Sequence, residues 1–283
     1  MYRQPRRTVT SRMGPKSGFG NGLKMRLLIG LAIAAFAVFS YMGKSEFNPI
    51  TGENQRVSLT EEQEIAMGLQ AVPTMMEQHG GLYPDQELQD YIDEVGFKIV
   101  RMSDASETDY EYEFHLLHDP NTINAFALPG GQVFITAALY GRMTTEGQLA
   151  AVLGHEVAHV VARHGAQRMA KSDLTNGLIG AVAVGAGDIG AQRMAAMIGN
   201  MVNMKYGRGD ELQSDTLGVQ FMVDAGYDPR AMIEVQEILQ SASGGERQPE
   251  FFSTHPDPVN RIGEIQETIN AIFPNGVPDN LIP

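Results

Sequence analysis

GHEVAHV, residues 154–160, sets two histidines four positions apart with a glutamate beside the first. Positions four apart on an α-helix differ by about 40° in direction, so His155 and His159 share a face. Two imidazoles on one face can hold a single Zn²⁺ through nitrogen. Glu156, adjacent to His155, lies within reach of a water in the same place without being a ligand, and can take its proton. This is the mechanical content of the H-E-x-x-H pattern. The flanking Val157, Ala158, Val160 and Val161 mark a buried helix. Two histidines and a glutamate buried without partners are costly, and a metal supplies the partner. The plainer reading is two ordinary helix histidines beside a solvated acid.

Working outward, the helix carrying this stretch is expected to begin at Thr144 or Thr145, with Glu146 in its first turn and Leu149, Val152 and Leu153 on its apolar face. Ahead of it, Thr60 and Gln63 have capping-box spacing, and Leu88, Ile92, Val95 and Ile99 recur at a helical period. Residues 110–118 alternate as a half-buried strand, and 123–136 read as two short strands around Pro129-Gly130-Gly131. Beyond it come GLIGAVAVGAG (177–187), too short to span a bilayer, and a methionine stripe at 194, 197, 201 and 204. That stripe suits core packing, or a hydrophobic flap or membrane-touching hairpin. Helical patterns over about 208–225, 229–242 and 258–272 close the chain. The fold class is α+β, mostly helical.

A catalytic zinc needs a third protein ligand and an open position. VVARHGAQ, after His159, does not fit the glycine and third histidine that an extended histidine motif needs there. His164 stands about 140° from His159 on a continuous helix, so it reads as a structural partner. In GRGDELQSDTLG (207–218), Glu211 and Asp215 are four apart, so one can bind metal while the other holds a ligand histidine by its second nitrogen. The neighbouring Asp210 leaves that choice open, and early-turn acids also suit a helix dipole.

The 283 residues contain no cysteine, which excludes disulfides, thiolate metal sites and a cysteine nucleophile. Residues 1–26 carry seven Lys and Arg and no acid, whereas the rest carries 34 acids against 14 Lys and Arg. An acidic body argues against nucleic acid as a partner. The basic stretch leads into LLIGLAIAAFAVFSYM (27–42), read as a membrane anchor or signal over 27–43, with the body outside the cytoplasm. Residues 44–57 read as a linker, 58–275 as the catalytic-sized domain and 276–283 as a tail.

At this point the motifs resemble one family. GHEVAHVVARH, ELQSDTLG, NAFALPGGQVFIT, NPITGENQRVSLTEEQEIAMG and STHPDPVNRI occur in its order, covering roughly residues 47–270. The chain resembles the HtpX-like and CaaX-prenyl-protease-like zinc metallopeptidases, which are gluzincins, in a short form with an N-terminal anchor. The resemblance implies an active-site helix near a small β-sheet and one Zn²⁺ per chain on His155, His159 and Glu211. It implies Glu156 as base, and Asp215 behind the ligands. It also implies an edge strand within 126–136 that pairs with an extended peptide, where Gly130 and Gly131 let two backbones approach. His255 is implied as a catalytic helper at the developing oxyanion or as a plug in the open metal position; otherwise it is a loop histidine before the last helix. The function expected is an endopeptidase acting on misfolded or misassembled, unfolded envelope proteins, anchored with its domain in the periplasm. A mitochondrial membrane is the lesser alternative. The competing function is a latent protease acting as a chaperone-like binding protein.

Overall fold

The computed structural model describes residues 19–186, 206–243, 249–256 and 260–283. Helix α1 (Phe19–Met42) leads the chain, and its Lys24–Met42 stretch is long and apolar enough to cross a membrane. Residues 45–56 are more than a linker. Strands β1 (Ser45–Asn48) and β2 (Glu53–Arg56) form an antiparallel hairpin. Asn48 and Gln55 donate side-chain hydrogen bonds to the carbonyls of Val161 and Ala162, which docks the hairpin on the body.

Helix α2 (Glu61–Gln78) opens with the expected capping box of Thr60 and Gln63. Helix α3 (Gln86–Met102) buries Ile92, Val95 and Ile99, the periodic face. A three-stranded sheet follows in the order β3 (Glu113–Leu117), β5 (Gln132–Thr136), β4 (Ala125–Leu128). Strand β3 runs parallel to β5, and β4 runs antiparallel to it at the sheet edge. The half-buried reading of the first strand is corrected here, because β3 is covered on both faces. Phe114 and Leu116 join the main core, while Leu117 joins a second cluster with Met75 and Phe134. A parallel strand is reached by a crossover that leaves elements on both sides. His115, on the polar half of the alternation, is buried against Gln132 at 2.8 Å.

Pro129-Gly130-Gly131 makes the β4–β5 corner, with φ of 87° and 106° at the two glycines. The backbone that approaches there is the protein's own. A Cβ on Gly130 would stand 2.4 Å from Ile65 Cα, and one on Gly131 2.9 Å from the Glu111 carbonyl oxygen.

After the short helix α4 (Ala137–Tyr140), α5 (Glu146–Val161) is capped by Thr145, and every residue from Gly147 to Val161 is buried. Burying its Leu and Val side chains contributes about 1.5–3 kcal/mol apiece. Helix α5 ends at a tight turn where Arg163 has φ 52°, so α6 (His164–Ala186) leaves in a new direction. Arg163 is buried and donates to Glu64 Oε1 and the Leu59 carbonyl, tying that turn to α2.

Helices α7 (Arg208–Asp224), α8 (Arg230–Ala242), α9 (Phe251–Thr254) and α10 (Arg261–Ile272) complete the body. Residues 282–283 also dock: the Ile282 amide donates to the Gly226 carbonyl, and the Pro283 carbonyl accepts from Gly147 in the first turn of α5. The methionine stripe lies outside the described residues.

Two tests follow from this packing. Arg163→Ala leaves Glu64 buried and uncompensated, so urea unfolding should show a loss of about 3–5 kcal/mol. Asp119, in the loop after β3, accepts from the Asn121 and Thr122 amides and meets His79 Nδ1 of α2 at 3.0 Å. Burial pushes this carboxyl up, but its hydrogen bonds outweigh that and hold it at about 2. A depressed carboxylate contributes stability above its ordinary value and loses it as pH falls through the folded value. Asp119→Asn should therefore flatten the fall in melting temperature between about pH 4 and pH 2.

Candidate metal centre

The centre is made where α5 crosses α7. The crossing is close because it is glycine against glycine: a Cβ on Gly218 would meet the His155 amide nitrogen at 3.2 Å, and one on Gly154 the Gly218 carbonyl at 3.4 Å. That approach sets the first two turns of α7 against His155 and His159.

The Nε2 atoms of His155 and His159 face each other at 3.0 Å. Glu211 reaches both, with Oε2 3.5 Å from His155 Nε2 and Oε1 3.5 Å from His159 Nε2. His255, from the end of α9, brings Nδ1 to 3.2 Å from Glu211 Oε1 and Nε2 to 3.6 Å from Glu156 Oε1. Among the described residues, His155, His159, Glu211 and His255 offer ligand atoms within 4.8 Å of one another. None of these four or Glu156 is more than 3% exposed. Ligand atoms at zinc bond lengths around one tetrahedral ion stand roughly 3.4 Å apart. The observed separations suit such a site. Both oxygens of Glu156 lack a hydrogen-bond partner, and those of Glu211 face ring nitrogens at 3.2–3.5 Å. Two buried carboxylates beside three imidazoles are balanced by a cation, so the donor set fits a metal.

Asp210 and Glu211 point in opposite directions. Asp210 turns outward and accepts from Arg168 Nε at 2.8 Å and from the Gly207 amide at 2.9 Å. Glu211 turns inward and is fully buried. Asp215, one turn on, accepts from His155 Nδ1 at 2.9 Å. This bond leaves Nε2 of His155 for the cluster, as in carboxylate–histidine–metal arrangements generally.

Burial pushes the His155 imidazole down, but Asp215 and Glu211 outweigh it and lift it to about 9. Coordination through Nε2 therefore has to displace a proton. Burial lowers the His159 imidazole further than Glu211 raises it. Burial also raises the Glu156 carboxyl above its ordinary value. Glu211 goes the other way: burial would raise it, and the facing His255, His155 and His159 hold it well down.

Several contributors were not singled out by sequence reasoning. Arg261, in the first turn of α10, donates to both oxygens of Asp215 at 2.7 Å and stands 3.4 Å from Glu211 Oε2. Tyr206 stacks on the His159 ring at 3.9 Å, and Phe251 stacks on His255 at 4.3 Å. His164 is not in the cluster, but the reason differs from the helical-wheel one. The turn at Arg163 folds its ring back, so its Nδ1 lies 2.9 Å from Nδ1 of His159, on the side away from the other ligands. Its Nε2 meets Gln213 Oε1 at 2.9 Å. Asn124, at the head of β4, is buried with its amide oxygen unpartnered. It lines a cavity of about 70 Å³ beside β4, together with Met75, His79, Phe126 and Tyr206. The only sequence signal for Asn124 and Arg261 is their presence within the quoted segments.

The pattern of peptidase family M48 matches residues 86–269. The mitochondrial metalloendopeptidase OMA1 of Schizosaccharomyces pombe is 30% identical, over 86% of this chain and 72% of its own. The beta-barrel assembly-enhancing proteases of Yersinia pestis and Escherichia coli are 28% and 29% identical, over 89% and 88% of this chain. The chain spans about half the length of these two, 53% and 51%. With a family match over most of the chain and the H-E-x-x-H helix at the centre of its fold, the chain belongs to peptidase family M48 and carries a metalloendopeptidase domain.

Proposed function

We propose that this chain is a zinc-dependent endopeptidase that cleaves misfolded or misassembled proteins of the cell envelope from a membrane-anchored position. The observation that carries the reading is the convergence of His155, His159 and Glu211 on one buried point with the unpartnered Glu156 carboxylate beside it. His155 and His159 would hold the metal through Nε2, and Glu211 through its carboxylate. Bound there, zinc supplies a Lewis acid for a peptide carbonyl and for the attacking water. Glu156 takes the water's proton and passes it to the leaving amine. Its burial suits that task, because a carboxyl raised above its ordinary value holds a proton more readily once it has taken one. Asp215 and Arg261 orient His155 and Glu211.

Strand β4 is an edge of the sheet with no further strand paired to it among the described residues, so an extended chain can add to it through backbone hydrogen bonds. Such binding reads little side-chain identity and suits unfolded substrates. The curated relatives carry names pointing to β-barrel assembly and to mitochondria. The basic 1–26 segment supports an extracytoplasmic orientation, because basic flanks favour the cytoplasmic side and leave the body outside it.

His255 favours a second, latent state. Its two nitrogens face Glu211 and Glu156 and fill the space between them. We read it as a plug that withdraws when substrate arrives, and the chaperone-like reading is the case in which it stays.

Three variants test the reading through casein cleavage and metal content. Glu156→Gln should keep its zinc and lose about 10²–10⁴-fold in cleavage rate. Glu211→Gln should lose zinc as well, and unchanged metal content there would move the third ligand elsewhere. His255→Ala should raise basal cleavage several-fold, whereas a fall would assign the ring to the oxyanion.

A further inference from the structure

We infer that the second half of α6 enters the lipid bilayer beside α1, as a membrane contact additional to the anchor. The inference rests on the reading of α1 as a membrane helix. Helix α6 begins inside the domain: Ala166, Met169 and Ala170 are buried, and Arg168 pairs with Asp210. It then leaves. From Leu174 to Ala186 it carries no charged residue, and Leu178 is exposed.

The helix that α6 packs against is α1. Both depart from the β1–β2 hairpin, α1 running into it and α6 out of the turn beneath it, so they lie antiparallel. Gly177 marks the contact, since a Cβ there would stand 2.8 Å from Ala37 Cβ. On α1, Gly30, Ile33, Ala34, Ala37, Ser40 and Tyr41 are covered, whereas Leu27, Leu28, Leu31, Phe36 and Phe39 on the other faces are exposed. Small residues on the covered face let two backbones approach where no hydrophobic effect drives helices together.

Depth follows from helix rise. Ala37 lies five residues inside the Met42 end of the apolar span, about 8 Å in at 1.5 Å per residue. The nine residues from Gly177 to Ala186 extend about 14 Å further, into a hydrocarbon core of roughly 30 Å. If α1 is in lipid, its α6 neighbour cannot be in water. The segment is too short to span from one side to the other, so it enters rather than crosses as far as it is described. The same helix starts with His164, which touches His159, so the metal centre is held close to the membrane surface.

The chain has no tryptophan, so single substitutions report single positions. Leu178→Trp and Val182→Trp would be made in the full chain, with Phe39→Trp on the lipid-facing side of α1 and Met102→Trp on α3 as references. Each is reconstituted into phosphatidylcholine vesicles with and without bromine on the acyl chains. The expected result is blue-shifted emission and strong bromine quenching at 39, 178 and 182, with none at 102. Quenching at 39 alone overturns the inference and leaves the anchor standing. Blue-shifted but unquenched emission at 178 and 182 also overturns it, and assigns the face to protein, such as a second copy of the chain. Loss of quenching at 39 as well removes the anchor reading on which it rests.

Discussion

Five ionisable side chains, His155, Glu156, His159, Glu211 and His255, meet in a space from which water is excluded. The free energy of burying them constrains everything around the centre. Without counter-charges each would cost several kcal/mol, and the ring nitrogens and carboxylates would shift to their neutral forms. The fold answers by pairing. Asp215 takes the outer nitrogen of His155, Arg261 holds Asp215, and Glu211 is kept ionised by the histidines facing it. The Glu156 oxygens are left over, without a hydrogen-bond partner.

This pairing is possible only because two helices approach closely. The Gly154–Gly218 crossing lets α7 lie against α5 at backbone distance, so short acidic side chains reach imidazoles on the other helix. The Arg163 turn does related work at the other end of α5. It stops the helix just past His159, sends α6 outward and places His164 behind His159. The sheet contributes through its order: β5 is central and β4 lies at an edge, where among the described residues no further strand pairs with it.

The same geometry joins the centre to the membrane helix. The β1–β2 hairpin binds the last carbonyls of α5 through Asn48 and Gln55, and α1 leads directly into that hairpin. The histidine cluster and the apolar helix are thus linked through hydrogen bonds between the hairpin and the end of α5.

Much of this was legible in the sequence, and the legible parts share one property. H-E-x-x-H, E-x-x-x-D, the Thr60 capping box and the Pro-Gly-Gly corner are all relations between residues within a few positions, where covalent geometry and helix period fix direction. The sequence by itself therefore determined which side chains on each helix point the same way, and that α5 is buried and α1 apolar. What it left open were relations across long separations. Asp210 and Glu211 are neighbours, and only the docking of α7 turned one outward to Arg168 and the other inward. Arg261 sits 46 residues from Asp215 and 106 from His155, a pairing no period encodes. The linker and tail likewise acquired roles through hydrogen bonds to α5 that their own composition does not announce. Tertiary structure decided these because burial leaves each polar atom to find a partner in space, wherever the chain brings one.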